Sequence, residues 1–281
     1  GKPAGSRPGG PRSTAASSSW RWGSSPPWRS SWLWCGCRTA ESRLNPTGWT
    51  SPRYEELLRR SHEEPDRARL LDEAEGILIE DAPIVPVFHY VAHNLIKPFV
   101  KGVHLNARDL HPLQGVTLEG EGAPKDGVLI FNGGAEPGSL DPALSNDIAG
   151  YKILTHLYEG LVMPEATQGA PAPALAERWE TSPDGRTWTF RLREARWSNG
   201  DPVTAHDFVY AWRRAIAPKT ASRGAHRMFA LEGARRIAAG ETEPGTLGVR
   251  AIDDQTLEAK LIRRTPFFLD LLREGGAPAA W

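Results

Sequence analysis

The chain has 281 residues, enough for one large or two modest domains at roughly 100 to 200 residues each. Thirty-four Lys and Arg balance 34 Asp and Glu, which removes any global electrostatic argument for a nucleic-acid or anionic-membrane partner. The only two cysteines stand in one C-x-C, so a disulfide framework and a four-thiolate zinc site are excluded, and no run of about 18 apolar residues offers a membrane span.

Residues 1–44 differ from the rest. They hold seven Lys and Arg against one acid, Glu41, and five of the eleven Trp, among Ser, Pro and Gly with no period of 2 or 3.6. Arg interleaved with Trp suits stacking on single-stranded bases or a membrane interface. The near-absence of Asp, Glu and Lys fits better a non-native segment, read out of frame in a GC-rich gene, or a disordered tail. Cys35 and Cys37 would need metal ligands from elsewhere. The chain begins with Gly1 and shows no basic stretch followed by an apolar one, so no secretion signal is visible.

From Asn45 the local signals agree with one another. Ser51-Pro52 predicts a helix start, with Tyr54, Leu57 and Leu58 on one face. Pro65 restarts it, and Leu70, Leu71, Ala74, Ile77 and Leu78 continue at helical spacing, with Asp66 near the positive end of the dipole. Asp81-Ala82-Pro83 ends that helix, and residues 84–91 read as a buried strand, at an edge or crossover because of Pro86. Residues 115–127 read as a linker, and Val128-Leu129-Ile130-Phe131 as a short strand ending at Asn132-Gly133-Gly134. A helix is expected from Asp147 to near Gly160, carrying Ile148, Ile153, Leu154 and Leu157. Trp179 opens a hairpin around Ser182-Pro183-Asp184-Gly185, whose second strand alternates Trp188, Phe190 and Leu192 against Thr187, Thr189, Arg191 and Arg193. Thr204 and Asp207 form a capping box, with Val203 stapled to Phe208, for a helix reaching Pro218. A second hairpin turns at Asp253-Asp254, and Thr265-Pro266 starts a last helix. The fold class is mixed α and β, with no repeat and no coiled coil.

The common catalytic signatures are absent: no G-x-S-x-G, no phosphate-binding glycine loop, no H-E-x-x-H and no EF-hand loop. His89 and His93 would pair ligands on a helix, but on a strand they lie about 13 Å apart, and no metal site is expected. His206 reads as a surface residue and Asp253-Asp254 as a turn. Gly133-Gly134 serves either a turn or close approach of a ligand. Trp179, Trp188, Trp197, Tyr210 and Trp212 lie on amphipathic elements and suit a core, and such surfaces also line clefts for extended ligands.

Several ordered motifs then carry a resemblance. Gly133-Gly134-Ala135-Glu136-Pro137-Gly138-Ser139-Leu140-Asp141-Pro142, Leu157-Tyr158-Glu159-Gly160-Leu161 and Pro173-Ala174-Leu175-Ala176-Glu177-Arg178-Trp179 are followed by three more: Asp184-Gly185-Arg186-Thr187-Trp188-Thr189-Phe190, Trp197-Ser198-Asn199-Gly200-Asp201-Pro202-Val203-Thr204-Ala205 and Asp207-Phe208-Val209-Tyr210-Ala211-Trp212. Together they resemble the N-terminal part of the oligopeptide-binding proteins of bacterial ABC importers, solute-binding family 5. Residues 45–114, through Thr47-Gly48-Trp49, Arg53-Tyr54-Glu55-Glu56-Leu57-Leu58, Ala82-Pro83-Ile84-Val85-Pro86-Val87 and Leu95-Ile96-Lys97-Pro98-Phe99-Val100-Lys101-Gly102, resemble the same family's C-terminal end. The implied layout is a leader at 1–44, a family C-terminal fragment at 45–114, a linker at 115–127 and a family N-terminal fragment at 128–281, in inverted order and without the middle.

The resemblance implies an incomplete lobe of the type II periplasmic-binding-protein kind, plus the family's extra α/β domain. It implies a non-enzymatic, monomeric component without cofactor that binds oligopeptides, in the periplasm or on the cell surface, and delivers them to ABC permease subunits. Such a ligand lies extended between two lobes, held by its main chain much as an added strand is held. By family position Asn146 and Ile148 border the ligand. Where members often carry a ligand-facing Tyr, this chain has Gly224. The alternatives are a different ligand such as a metal chelate, sugar or opine, an Arg/Trp-rich nucleic-acid-binding protein, or an inactive fragment.

Overall fold

A computed structural model describes residues 47–85, 93–104, 111, 113–165 and 170–273. Two hydrophobic cores organise them, a small one inside a helical hairpin and a large one beneath an antiparallel sheet.

The hairpin is α1 (Pro52–Glu63) and α2 (Arg67–Asp81). Ser51 caps α1, its side chain accepting from the Tyr54 N–H, and Pro52 occupies the first turn where its missing N–H costs nothing. Tyr54, Leu57, Leu70 and Ala74 close on one another, and Trp49 meets the Tyr54 ring edge-on at 5.1 Å while its indole N–H donates to Asp81 at 3.1 Å. Asp66 stands at the N-cap of α2 but makes no cap bond, and its carboxylate meets Arg69 at 2.7 Å.

The large core lies under a four-stranded sheet: β5 (Ala176–Thr181), β6 (Thr187–Leu192), β7 (Val249–Asp253) and β8 (Thr256–Lys260), in spatial order β5-β6-β8-β7. The alternation read from the sequence holds: Trp188, Phe190 and Leu192 are buried, and Trp188 pairs with Ala259 and Phe190 with Leu257, so both strands send apolar residues to one face. The helix α4 (Ala205–Ile216) covers that face with Phe208, Trp212 and Ile216. Its capping box is formed, with the Thr204 N–H donating to Asp207 at 2.7 Å, as the sequence predicted. Further elements are α3 (Ile148–Leu157), α5 (Ala234–Ala238), α6 (Phe268–Arg273), a small pair β3 (Val162–Pro164) and β4 (Pro171–Pro173), and a pair β1 (Val100–Lys101) and β2 (Thr117–Leu118). β2 falls within the stretch 115–127 that reads as a linker.

Two strand expectations are corrected. Ile84 and Val85 are exposed and outside any strand, and the remainder of that expected strand, residues 86–91, lies outside the described residues. Residues 128–131 are extended but pair with no strand, and Ile130 is 90% exposed. An apolar run becomes a strand only where a partner edge is in reach, and none of the described strands offers one here.

The hairpin rests on the C-terminal end of the sheet domain. His62 lies 5.3 Å from the Phe267 ring and the Arg67 guanidinium sits 5.1 Å over the same ring. Burial, then the cations Arg263 and Arg67, push the His62 imidazole down to about 4, against a raising hydrogen bond with the Arg264 backbone. The folded state therefore binds fewer protons than the unfolded chain between about pH 4 and 6.5, so stability is full above 6.5 and falls as the pH drops toward 4. Discounted for partial solvent access, the loss should be about 1–2 kcal/mol. Urea melts at neutral and mildly acidic pH should show that extra loss in the natural chain relative to His62→Gln; equal losses would contradict it.

Candidate functional site

The residues expected to border a ligand sit where a tight loop hands over to α3. Ser139 accepts the Asp141 N–H at 3.0 Å, the Asp141 carboxylate accepts the Ala143 N–H at 3.0 Å, and its carbonyl accepts the N–H groups of Leu144 and Ser145 at 2.9 and 2.8 Å. Arg214, from the last turn of α4, forks onto the same carboxylate, Nη1 to Oδ1 at 2.8 Å, and holds the Asp141 carboxyl below the usual carboxylate range. Asp147 caps α3 by accepting from Gly150 at 2.7 Å and also takes the Gly138 N–H at 3.1 Å, which keeps its carboxyl low as well. Gly150 is buried against the loop: a Cβ there would stand 2.3 Å from Ser145 Oγ and 3.1 Å from the Ser139 carbonyl. Loop and helix are thus locked into one unit by α4.

On the outer surface of that unit Asn146 is exposed and Ile148 is 75% exposed at the first position of α3. One turn further along the helix, Tyr151, Lys152, Thr155 and His156 form a wall of an open cavity of about 950 Å³. Other walls come from residues 93–97, 99, 100 and 103, including Leu95 and Ile96, from residues 128–132, and from residues 158–160 and 162–164. Phe131 approaches the His156 ring to 6.2 Å. Asn146 and Ile148 do not line the cavity but lead into it along α3. Sequence reasoning found the helix and missed this wall, since nothing in a helical period says which face meets another segment. The apolar run at 128–131 was the available signal, and it was absorbed by the strand reading.

One backbone position fixes the far wall. Gly102 has φ +78°, and an added Cβ would lie 2.3 Å from the Gly115 carbonyl oxygen beside the β1–β2 pair. Gly102→Ala should therefore cost about 1–3 kcal/mol locally and raise amide exchange at Val100 and Glu119, whose N–H groups bond Lys97 and Phe99 at 2.9 and 2.8 Å. Unchanged protection at both amides would contradict it.

The remaining candidates fall to structural roles. Trp188 and Trp212 are buried core, Trp179 and Trp197 are half-buried, and Tyr210 is exposed. Asp253 closes its hairpin by accepting from Gln255 at 2.8 Å and Thr256 at 2.9 Å, and His206 is a surface residue 3.6 Å from Asp254. Gly134 takes a turn conformation, with its N–H on Asn132 at 2.8 Å. Gly224 precedes a short 3-10 turn, Ala225–Met228. Cys35, Cys37 and His89 lie outside the described residues. Among the described residues no three His, Cys, Asp or Glu side chains form a metal-binding group, and no helix is long and apolar enough to cross a membrane.

Comparison with known proteins accounts for the C-terminal half. Residues 170–280 match the family described as bacterial extracellular solute-binding proteins, family 5 Middle. The chain is 44% identical over 142 residues to the periplasmic oligopeptide-binding protein OppA of Haemophilus influenzae, covering 50% of this chain and 26% of that protein. It is 43% identical over 161 residues to its namesake in Escherichia coli, covering 56% and 28%. A crystal structure of Haemophilus influenzae OppA in complex with RPPGFSPFR superposes with a TM-score of 0.50 at 41% identity, over 53% of this chain and 29% of that one. The chain thus spans little more than a quarter of the length of these relatives. The mixed helix and sheet architecture is that of the same proteins. Over residues 170–280 the chain is therefore similar to the bacterial extracellular solute-binding proteins, family 5.

Proposed function

We propose that the chain supplies part of the peptide-binding component of a bacterial ABC importer, acting outside the cytoplasmic membrane and handing its ligand to permease subunits. The observation that carries this reading is the identity of 43–44% with oligopeptide-binding proteins, over a segment whose fold is kept. It works as a monomer, by binding alone, with no enzymatic step and no nucleic-acid partner.

In this reading an extended peptide runs past Asn146 and Ile148, the amide offering a donor and an acceptor to the peptide main chain and the isoleucine an apolar contact. Side chains then turn into the adjoining cavity, whose volume of about 950 Å³ admits residues of different size. The rigid loop matters because main-chain recognition needs its partners fixed before the ligand arrives.

The test is site-directed photo-crosslinking. A benzoylphenylalanine replacing Ile148 should capture a biotinylated pentapeptide, whereas the same group replacing Ile252, which is also exposed, should not. Equal capture at both positions, or none at position 148, would overturn the assignment.

A further inference from the structure

Asn132-Gly133-Gly134 makes a turn at the cavity wall, and its first two residues are also a reactive pair. Six asparagines occur in the chain and two precede glycine, Asn132-Gly133 and Asn199-Gly200. A carboxamide beside glycine is open to attack by the glycine's own backbone nitrogen, because no Cβ hinders the approach. Both asparagines are exposed, and in both the side-chain Oδ1 accepts the N–H two residues on, from Gly134 at 2.8 Å and from Asp201 at 3.0 Å. That donor curls the carboxamide over the glycine peptide and points at the oxygen on which charge develops during attack. The two sites part at the nucleophile. The Gly200 N–H donates to the Trp197 carbonyl at 2.9 Å, inside a loop closed by the Trp197 N–H on the Asp201 carbonyl at 2.8 Å. The Asn199 amide nitrogen is held as well, donating to the Asp201 carboxylate at 2.7 Å. By contrast, the Gly133 N–H has no hydrogen-bond partner among the described residues, and the segment leading to it pairs with no described strand.

We infer that Asn132 is a site of self-modification, converting to aspartate and backbone β-linked isoaspartate while Asn199 in the folded chain is protected. The Gly133 nitrogen forms a bond to the Asn132 Cγ, the Cγ–Nδ2 bond breaks, and ammonia leaves with the proton that the Gly133 nitrogen gave up. A cyclic succinimide remains. Water then opens it at the side-chain carbonyl to give aspartate, or at the main-chain carbonyl to give isoaspartate. The net change exchanges NH for O, with nothing oxidised or reduced. At Asn199 the Gly200 and Nδ2 hydrogen bonds must break before the same geometry is reached, which slows that site roughly tenfold or more relative to Asn132. Conversion at Asn132 places a carboxylate in a cavity wall that also carries Lys152 and His156, and the isoaspartyl form lengthens the main chain there by one carbon. This chemistry needs no ligand and is independent of the peptide reading.

The test incubates the full chain, its cooperative melt checked first, in mildly alkaline buffer and follows the peptides holding Asn132 and Asn199 by mass spectrometry. Enzymatic isoaspartyl methylation detects the β-linked product. In the folded chain conversion at Asn132 should run roughly tenfold or more faster than at Asn199. In urea the two rates should converge, because the bonds that restrain Gly200 are gone. The variant Gly133→Ala, in which the added Cβ meets nothing within 4 Å and so leaves the fold in place, should slow conversion at Asn132 roughly tenfold or more and leave Asn199 unchanged. Equal rates in the folded chain, no conversion at Asn132, or a difference that persists in urea would overturn the inference. So would conversion to aspartate alone at a rate that Gly133→Ala does not alter, which would be direct hydrolysis by water.

Discussion

Trp212→Ala should lower the unfolding free energy of the sheet domain by about 3–5 kcal/mol, the largest loss expected from any single truncation here. The indole is 1% exposed at the centre of the face that α4 lays on β7 and β8, with Phe208 and Ile216 on the same helix and Phe190, Leu257 and Ala259 beneath. Removing it takes away apolar area and leaves a cavity that the sheet, tied by β6–β8 and β7–β8 pairing, closes only in part. Tyr210, two residues earlier on α4, is 66% exposed, so Tyr210→Ala should change stability by less than about 0.5 kcal/mol. Urea unfolding of both variants checks the contrast, and similar losses would contradict the packing described.

The second large effect is at Asp141. One carboxylate there accepts two hydrogen bonds from Arg214 and one from the Ala143 N–H, and both charged side chains are about one-third exposed. Asp141→Ala removes all three and leaves the guanidinium without its partner, a loss of about 2–3 kcal/mol for charge-assisted bonds in a partly buried setting. The consequence reaches the candidate site, because Arg214 is the tie between α4 and the loop that presents Asn146 and Ile148. Amide exchange at Gly138 and Gly150 should rise in the variant, and Asp141→Asn, which keeps one acceptor and the turn, should recover roughly half the stability. The pH dependence follows from the depressed carboxyl: the contribution is complete above the ordinary carboxylate range and is lost as the pH falls through the lowered folded value. Unaltered exchange at both glycines in Asp141→Ala would show that the ion pair does not hold the loop.

Much of this architecture was legible in the residues. Ser51-Pro52, the box of Thr204 and Asp207, the turn at Ser182-Pro183-Asp184-Gly185 and the alternation of Trp188, Phe190 and Leu192 are local signals, and each formed as read because local geometry decides it. The helix beginning at Ile148 was equally clear. What was not legible depends on distant partners. Residues 128–131 have the composition of a strand, yet a strand needs an edge beside it, and the sequence cannot say whether one is present. The Asp141–Arg214 tie joins motifs far apart in the chain, and neither residue type announces the other.

The central claim is the proposal that this chain recognises peptide through the surface led by Asn146 and Ile148. Calorimetric titration of the intact chain with a mixture of tri- to pentapeptides tests it most directly. A saturable heat, diminished in the variant Asn146→Ala, Ile148→Asp, is the predicted result. A flat titration from a chain that still melts cooperatively would contradict it.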